Sequence, residues 1–356
     1  MSTRIPVHDQ LLNRELALLK FNERVLAQAE SPHTPLLERL RFLCIVSANL
    51  DEFFEIRVSS LKEQLRQPPA APAGDGLAPE DALRAVAEVA QGMVAKQYAL
   101  LDGEILPRLQ AAGVALLRVP DWDAAQRAWA HEVFLREVMP LLTPIALDPA
   151  HPFPRVYNKS LNFIVSLSGR DAFGRNAAIA VVQAPRALPR VIRMPAEIAG
   201  CEYGYVMLTS LMLAFVGELF PGMTVNGCYQ WRVTRNSDLF VDEEEITNLR
   251  QALQGELTQR HFGDAVRLEL DAGTPPELER FLQREFNLAA IDTYRVAGPV
   301  NLSRLMQIAN ETERADLLYP GYRATVPATL SVAAAEPAAL FAVIAGQDQL
   351  LHHPYQ

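Results

Sequence analysis

The spacing of apolar residues changes once along this chain, at Gly113, and the two halves of that pattern dictate different architectures. Before it, Leu12, Leu16 and Leu19, then Leu36, Leu40 and Leu43, then Leu50, Phe53, Phe54, Val58, Leu61 and Leu65 recur every three or four positions. That is the period of a helix with one buried face. Three helices are expected over residues 11–65. Ser31-Pro-His-Thr-Pro35 parts the first two, because proline removes a backbone donor and Pro35 suits a first helical turn. Residues 67–79, rich in Pro, Ala and Gly, read as an exposed inter-helix loop. The helical period then returns over 80–109 through Leu83, Val86, Val89, Met93, Leu100 and Leu101. Residues 1–113 are expected to form an antiparallel helical bundle.

Beyond Gly113 the apolar residues come in short runs bounded by Pro, Gly and Asn. Strands are expected at 162–167, 178–182, 229–233 and 265–270. Helical stretches lie between them at 123–138, 209–219, 243–260 and 276–286, the last two with acidic first turns that suit a helix N-terminus. Residues 114–324 therefore read as an α+β domain. Residues 325–356 offer one short helix and one strand, too little to fold alone, so this segment needs a partner or a continuation. The fold class expected is multidomain, with α and β parts.

The composition, 49% hydrophobic and 21% charged over 356 residues, excludes a disordered or fibrous chain. A net charge of −9, from 42 acidic against 33 basic residues, gives no global attraction to nucleic acid or a membrane surface. An anionic substrate would need a local basic pocket. The first ten residues lack the apolar core of a signal peptide, and the longest apolar run, 206–216, is shorter than the ~20 residues that cross a bilayer. A cytoplasmic chain without a transmembrane segment is expected. Cys44, Cys201 and Cys228 form no CxxC pair and read as buried thiols.

Few segments carry recognisable chemistry. Residues 217–224 have the glycine spacing of a phosphate loop, but Met223 stands where lysine is needed, and a helix end followed by a Pro-Gly turn accounts for them. No GxSxG, HExxH or GxGxxG occurs. The histidines are His8, His33, His131, His151, His261, His352 and His353, with no i,i+4 pair to hold a metal. Asp148 and His151 make either an acid–base pair or, among three prolines, a rigid connector. His352 and His353 end an expected strand, where one could accept a phosphoryl group or bind a ligand, yet neighbours on a strand face opposite ways and packing explains them as well. In Ser47-Ala-Asn-Leu-Asp-Glu-Phe-Phe54, Asn49, Glu52, Glu55 and Ser59 would share a polar face opposite Leu50, Phe53 and Phe54. A carboxamide there can meet a purine edge or a phosphate oxygen; alternatively Ser47 or Asn49 caps or bends a helix. Arg232 and Arg235, on an expected strand, suit a phosphate contact, a solvated face or a subunit contact.

Several longer segments resemble the bacterial polyphosphate kinase family. Residues 13–26, 35–43 and 47–58 are similar to that family's N-terminal domain; residues 142–154, 232–236, 241–245 and 260–268 are similar to its middle, or head, domain. Leu350-Leu-His-His-Pro-Tyr355 resembles the opening of its phospholipase-D-like catalytic region. The resemblance implies reversible transfer of the terminal phosphate of ATP to polyphosphate through a phosphohistidine, with Mg²⁺. It implies that Asn49 contacts ATP from a nucleotide lid (1–113), that the head domain (114–324) dimerises, with Arg232 and Arg235 available there, and that 325–356 opens the catalytic domain. It also implies that the catalytic histidines and metal ligands lie downstream of Gln356. Taken alone, the chain is then expected to be inactive; the alternative is a non-enzymatic dimerisation or interaction module working with a separate catalytic half. An independent enzyme using Asp148 and His151 is a third reading.

Overall fold

A computed structural model describes residues 11–66, 75–147, 153–170, 178–236, 263–331, 336 and 338–353, and by contacts the chain divides into one unit through Glu313 and another from Arg314. In the first unit, α1 (Arg14–Glu30) starts where the Asn13 side chain accepts the Leu16 N–H at 3.0 Å. It buries Leu19, Asn22, Leu26 and Ala29, a stripe at helical spacing. Then α2 (Leu36–Phe53) begins directly after Pro35.

The expected break near residue 50 is absent. Instead α2 continues through a widened π turn (Phe54–Val58) into α3 (Ser59–Arg66). Ser59 Oγ donates to the Glu55 or Ile56 carbonyl, each at 2.8 Å, within that turn. A proline opens α4 (Pro79–Leu100), which passes through a second π turn (Leu101–Ile105) into α5 (Leu106–Ala111). Gly113, at φ +83°, adopts the left-handed backbone that a side chain disfavours and hands the chain to the first strand.

The α+β region holds two sheets. The small one orders β1 (Val114–Leu117), β6 (Tyr203–Met207) and β5 (Val191–Met194), with β1 parallel and β5 antiparallel to β6. The larger runs β2 (Pro144–Ala146), β4 (Ile179–Gln183), β3 (Asn162–Gly169), β7 (Met223–Arg235), β8 (Ala265–Asp271), β9 (Thr293–Val296), antiparallel except for the last pair. The strand expected at 229–233 lies within the 13-residue β7.

Alternation sends Phe163, Val165, Ala180 and Val182 to one face of this sheet, where they meet Phe134, Leu211 and Phe215. Ile164, Val181, Trp231, Val233, Leu268 and Leu270 go to the other, under Leu278 and Leu282 of α9 (Pro276–Glu285). Both faces are thus buried. Helix α6 (Ala124–Val133) carries a capping box: Asp123 accepts the Gln126 N–H at 2.8 Å, and the Gln126 side chain accepts the Asp123 N–H at 3.2 Å. Short elements α7 (Ala196–Ala199), α8 (Leu208–Phe215) and α10 (Met306–Glu311) complete the unit. The helix expected at 243–260 lies outside the described residues.

In the second unit, α11 (Ala339–Gly346) is the expected short helix. The expected strand near its end is not formed among the described residues: 347–353 is irregular, and His352 and His353 are exposed. A strand takes its hydrogen bonds from a neighbour, and no described strand pairs with this segment.

All three cysteines are free, Cys44 buried and Cys201 and Cys228 half-buried. Burial pushes the Cys44 thiol up to about 12, and its Sγ donates to the Leu302 carbonyl at 3.1 Å. A thiol reagent at neutral pH should modify Cys44 only as fast as the protein unfolds, because the thiolate is the reactive species. Labelling rates measured by mass spectrometry across a urea series would check this; fast labelling in native buffer would contradict it.

Candidate functional site

Five residues connect α1 to α2, so the two helices run antiparallel and face each other along their length. Leu18, Phe21 and Asn22 stand at i, i+3 and i+4 on α1, and Asn49, Glu52, Phe53 and Ile56 stand at i, i+3, i+4 and i+7 along α2 and the π turn. With Arg57 they line a pocket of about 260 Å³.

Asn49 lies in the interior of α2, so it caps nothing. Its Nδ2 donates to Asn22 Oδ1 at 2.8 Å, across the helix pair rather than back along its own helix. Ser47 is likewise interior and buried. The capping alternative is therefore removed for both. Asn22 is itself 5% exposed, so its acceptor has a fixed position, and that bond orients the Asn49 amide. The Asn49 carbonyl oxygen and second N–H have no protein partner among the described residues, and both suit a heteroaromatic edge or a phosphate oxygen. Phe21 presents a ring that is 54% exposed, and Glu52 and Arg57 add one charge of each sign. A flat apolar surface, a directed amide and a guanidinium are the groups that recognise a nucleotide.

The four residues expected to share one face do not all do so. Glu52 joins Asn49. Glu55 turns towards the sheet, where it accepts from Asn158 Nδ2 at 2.6 Å and pairs with Lys159, and Ser59 is buried. The π turn adds backbone to one turn of helix and so rotates the faces of the residues C-terminal to it.

On the opposite side of α2 stands Asp51, two residues and about 200° away from Asn49. Its carboxylate accepts from Arg232 Nη1 and Nη2, each at 2.8 Å, and from Arg267 Nη2. Glu269 completes the group, 3.0 Å from Arg232 Nη2 and 2.9 Å from Arg267 Nη2. Arg232 and Arg267 are 1% exposed, and the Arg267 guanidinium lies 4.5 Å from the Phe54 ring centre. Burial alone would raise the Asp51 pKa, but Arg232 and Arg267 outweigh it and hold the carboxyl below the usual range. Burial lowers the Arg232 pKa, and Asp51 with Glu269 outweighs that in turn.

Thus Arg232 is neither on a solvated face nor free for phosphate: it locks α2 onto β7 and β8. Arg235 is also spent within the fold, donating Nη1 to the Gly263 carbonyl at 2.8 Å and Nε to the Val156 carbonyl at 3.3 Å. Sequence reasoning missed Asp51, Arg267, Glu269 and Asn22. Asp51 and Arg267 stand in family-like segments, but nothing in their spacing reveals that they meet. Asp148, His151, His8 and His261 lie outside the described residues. His131 packs on Phe215, 4.8 Å between ring centres, on a different element from Asn49.

Two family descriptions match this chain: "Polyphosphate kinase N-terminal domain" over residues 11–117 and "Polyphosphate kinase middle domain" over 125–308. Proteins named polyphosphate kinase from Burkholderia lata and Burkholderia cenocepacia are 55% and 56% identical to it over all 356 residues. The chain spans about half the length of these curated relatives, 51% in each case. A crystal structure of polyphosphate kinase from Porphyromonas gingivalis shares the fold, with a TM-score of 0.77 at 24% identity over 97% of this chain and 47% of that one.

Proposed function

Since the chain belongs to the polyphosphate kinase family, we propose that it forms the nucleotide-lid and head portions of an enzyme that reversibly transfers the terminal phosphate of ATP to polyphosphate. The observation that carries this reading is the Asn49 amide, aimed by Asn22 into a pocket with one exposed aromatic ring. Asn49 donates to and accepts from the nucleotide, and Asn22 holds it in register. The phosphoryl-accepting histidine belongs to the part of the family's length that this chain does not span, so the chain alone does not synthesise polyphosphate. Among the described residues no group of three or more His, Cys, Asp and Glu side chains could hold an ion.

Self-association is assigned to the head portion, supported by the exposed apolar side chains Leu135, Leu141, Ile145 and Leu213. No described helix is long and apolar enough to cross a membrane. A cytoplasmic location is part of the same proposal, supported by the ATP that the proposed reaction consumes.

In a full-length enzyme carrying this chain, Asn49→Ala should raise the KM for ATP about two- to tenfold, the equivalent of one hydrogen bond of about 0.5–1.5 kcal/mol. The KM for polyphosphate in the reverse direction should not change. Initial rates against ATP concentration check this. Unchanged ATP kinetics in a destabilised variant would make Asn49 a packing residue only, and ATP-dependent synthesis by the purified 356-residue chain would refute the assignment of catalysis elsewhere.

A further inference from the structure

Arg190, just before β5, and Arg304, in a single 3₁₀ turn (Leu302–Leu305), line one cleft of the head portion together with Lys159, Thr209, Arg232 and Asn301. Two of its cations are already neutralised. Lys159 pairs with Glu55, and Arg232 with Asp51 and Glu269. Among the described residues, neither Arg190 nor Arg304 has an acidic partner. Arg190 gives Nη2 to the Ala184 carbonyl at 3.1 Å, while its Nη1 is buried without an acceptor.

Burial, then the nearby charges of Arg304 and Arg186, bring the Arg190 pKa down to about 10, so the guanidinium still carries its charge at neutral pH in surroundings that oppose it. A buried charged donor without an acceptor is costly, and a bound anion removes the cost. Asn301 Oδ1 already accepts from Ser303, at 3.2 Å from the amide and 2.5 Å from the hydroxyl, which leaves its Nδ2 as the end available to a ligand. Thr209 adds a hydroxyl.

We infer that the cleft between Arg190 and Arg304 binds a phosphoryl group of an inorganic oligophosphate. Two guanidinium groups and two neutral donors suit the several acceptor oxygens of a phosphoryl group better than the single acceptor edge of a carboxylate. The room inside, about 30 Å³, admits the leading oxygens of one phosphoryl group and excludes a nucleobase. The choice of an inorganic chain as ligand rests on the polyphosphate kinase reading; the anion site itself does not.

Isothermal titration of tripolyphosphate into the 356-residue chain at low ionic strength tests this. Saturable one-to-one binding is expected, weakened at least about tenfold by Arg304→Gln or Arg190→Gln, the factor for losing one charge-assisted hydrogen bond. Arg304 is exposed, so its variant should fold even if the Arg190 variant does not, and circular dichroism confirms that. Arg136→Gln, on a separate exposed surface, should bind as the parent does. Equal affinity in folded Arg304→Gln, or no saturable binding by the folded parent, overturns the proposal. ATP binding tighter than tripolyphosphate, and lost in Arg304→Gln, overturns the inorganic assignment. These outcomes are independent of the Asn49→Ala kinetics, so failure of one reading is distinguishable from failure of the other.

Discussion

Asp51→Ala should destabilise the protein by about 3–5 kcal/mol, the range for removing one partner of a buried ion pair. For a unit of this size that corresponds to a fall in Tm of roughly 10 °C or more. The cause is the pair of cations that remains: Arg232 and Arg267, both buried, are left with Glu269 as their only carboxylate in the group. Asp51→Asn keeps the volume and hydrogen-bonding shape, so its difference from Asp51→Ala separates charge from packing. Because Asp51 is held below its ordinary pKa, its contribution is complete above the unfolded carboxylate value near 4 and is lost as pH falls through the lower folded value. The parent should therefore lose stability on an acid limb that Asp51→Ala lacks. Urea denaturation across pH reads both effects, and a loss below about 1 kcal/mol would show the network to be dispensable. Because Asn49 sits on the same helix two residues away, the same variant should also loosen the pocket.

This coupling explains why the sequence discloses the architecture more readily than the site. Helical periodicity exposes α1, α2 and α4 because each buries one continuous apolar stripe, and short apolar runs expose β3 and β8 because both faces of their sheet are covered. The join between α2 and α3 stays hidden, since a π turn keeps apolar residues coming at nearly helical spacing while rotating the face. Asn49 stands out because a polar cluster directly preceding two phenylalanines is unusual, but its partner Asn22 lies 27 residues away and only tertiary structure brings them together. Charged residues mislead most. Arg232 on a strand looks solvent-facing, and only the approach of Asp51 from a helix 181 residues earlier makes its burial tolerable. Short strands such as β1 and β9, four residues each, carry too little pattern to separate from loops.

Removing the arginine instead of the aspartate should reverse the sign of the pH dependence. Arg232→Met keeps a long unbranched side chain but leaves Asp51 and Glu269 sharing Arg267 alone. Two buried carboxylates facing one cation favour protonation of one of them, which raises a folded pKa above its unfolded value. That stability is then fully present below about pH 4 and is lost as pH rises towards the raised folded pKa, at a slope of about −1.4 kcal/mol per pH unit for one extra proton held by the native state. Tm of the variant should fall as pH rises above about 4, the unfolded carboxylate value, while the parent, whose Asp51 is already ionised there, stays nearly level. The two variants together discriminate between explanations that a single substitution leaves entangled. If burial area alone held α2 to the sheet, Asp51→Ala and Arg232→Met would lower Tm by amounts that track lost volume and would share one pH profile. Opposite pH slopes require the charges to be what fastens α2 to β7 and β8. A level pH profile for Arg232→Met with parental Tm would show that Arg267 alone suffices for both carboxylates.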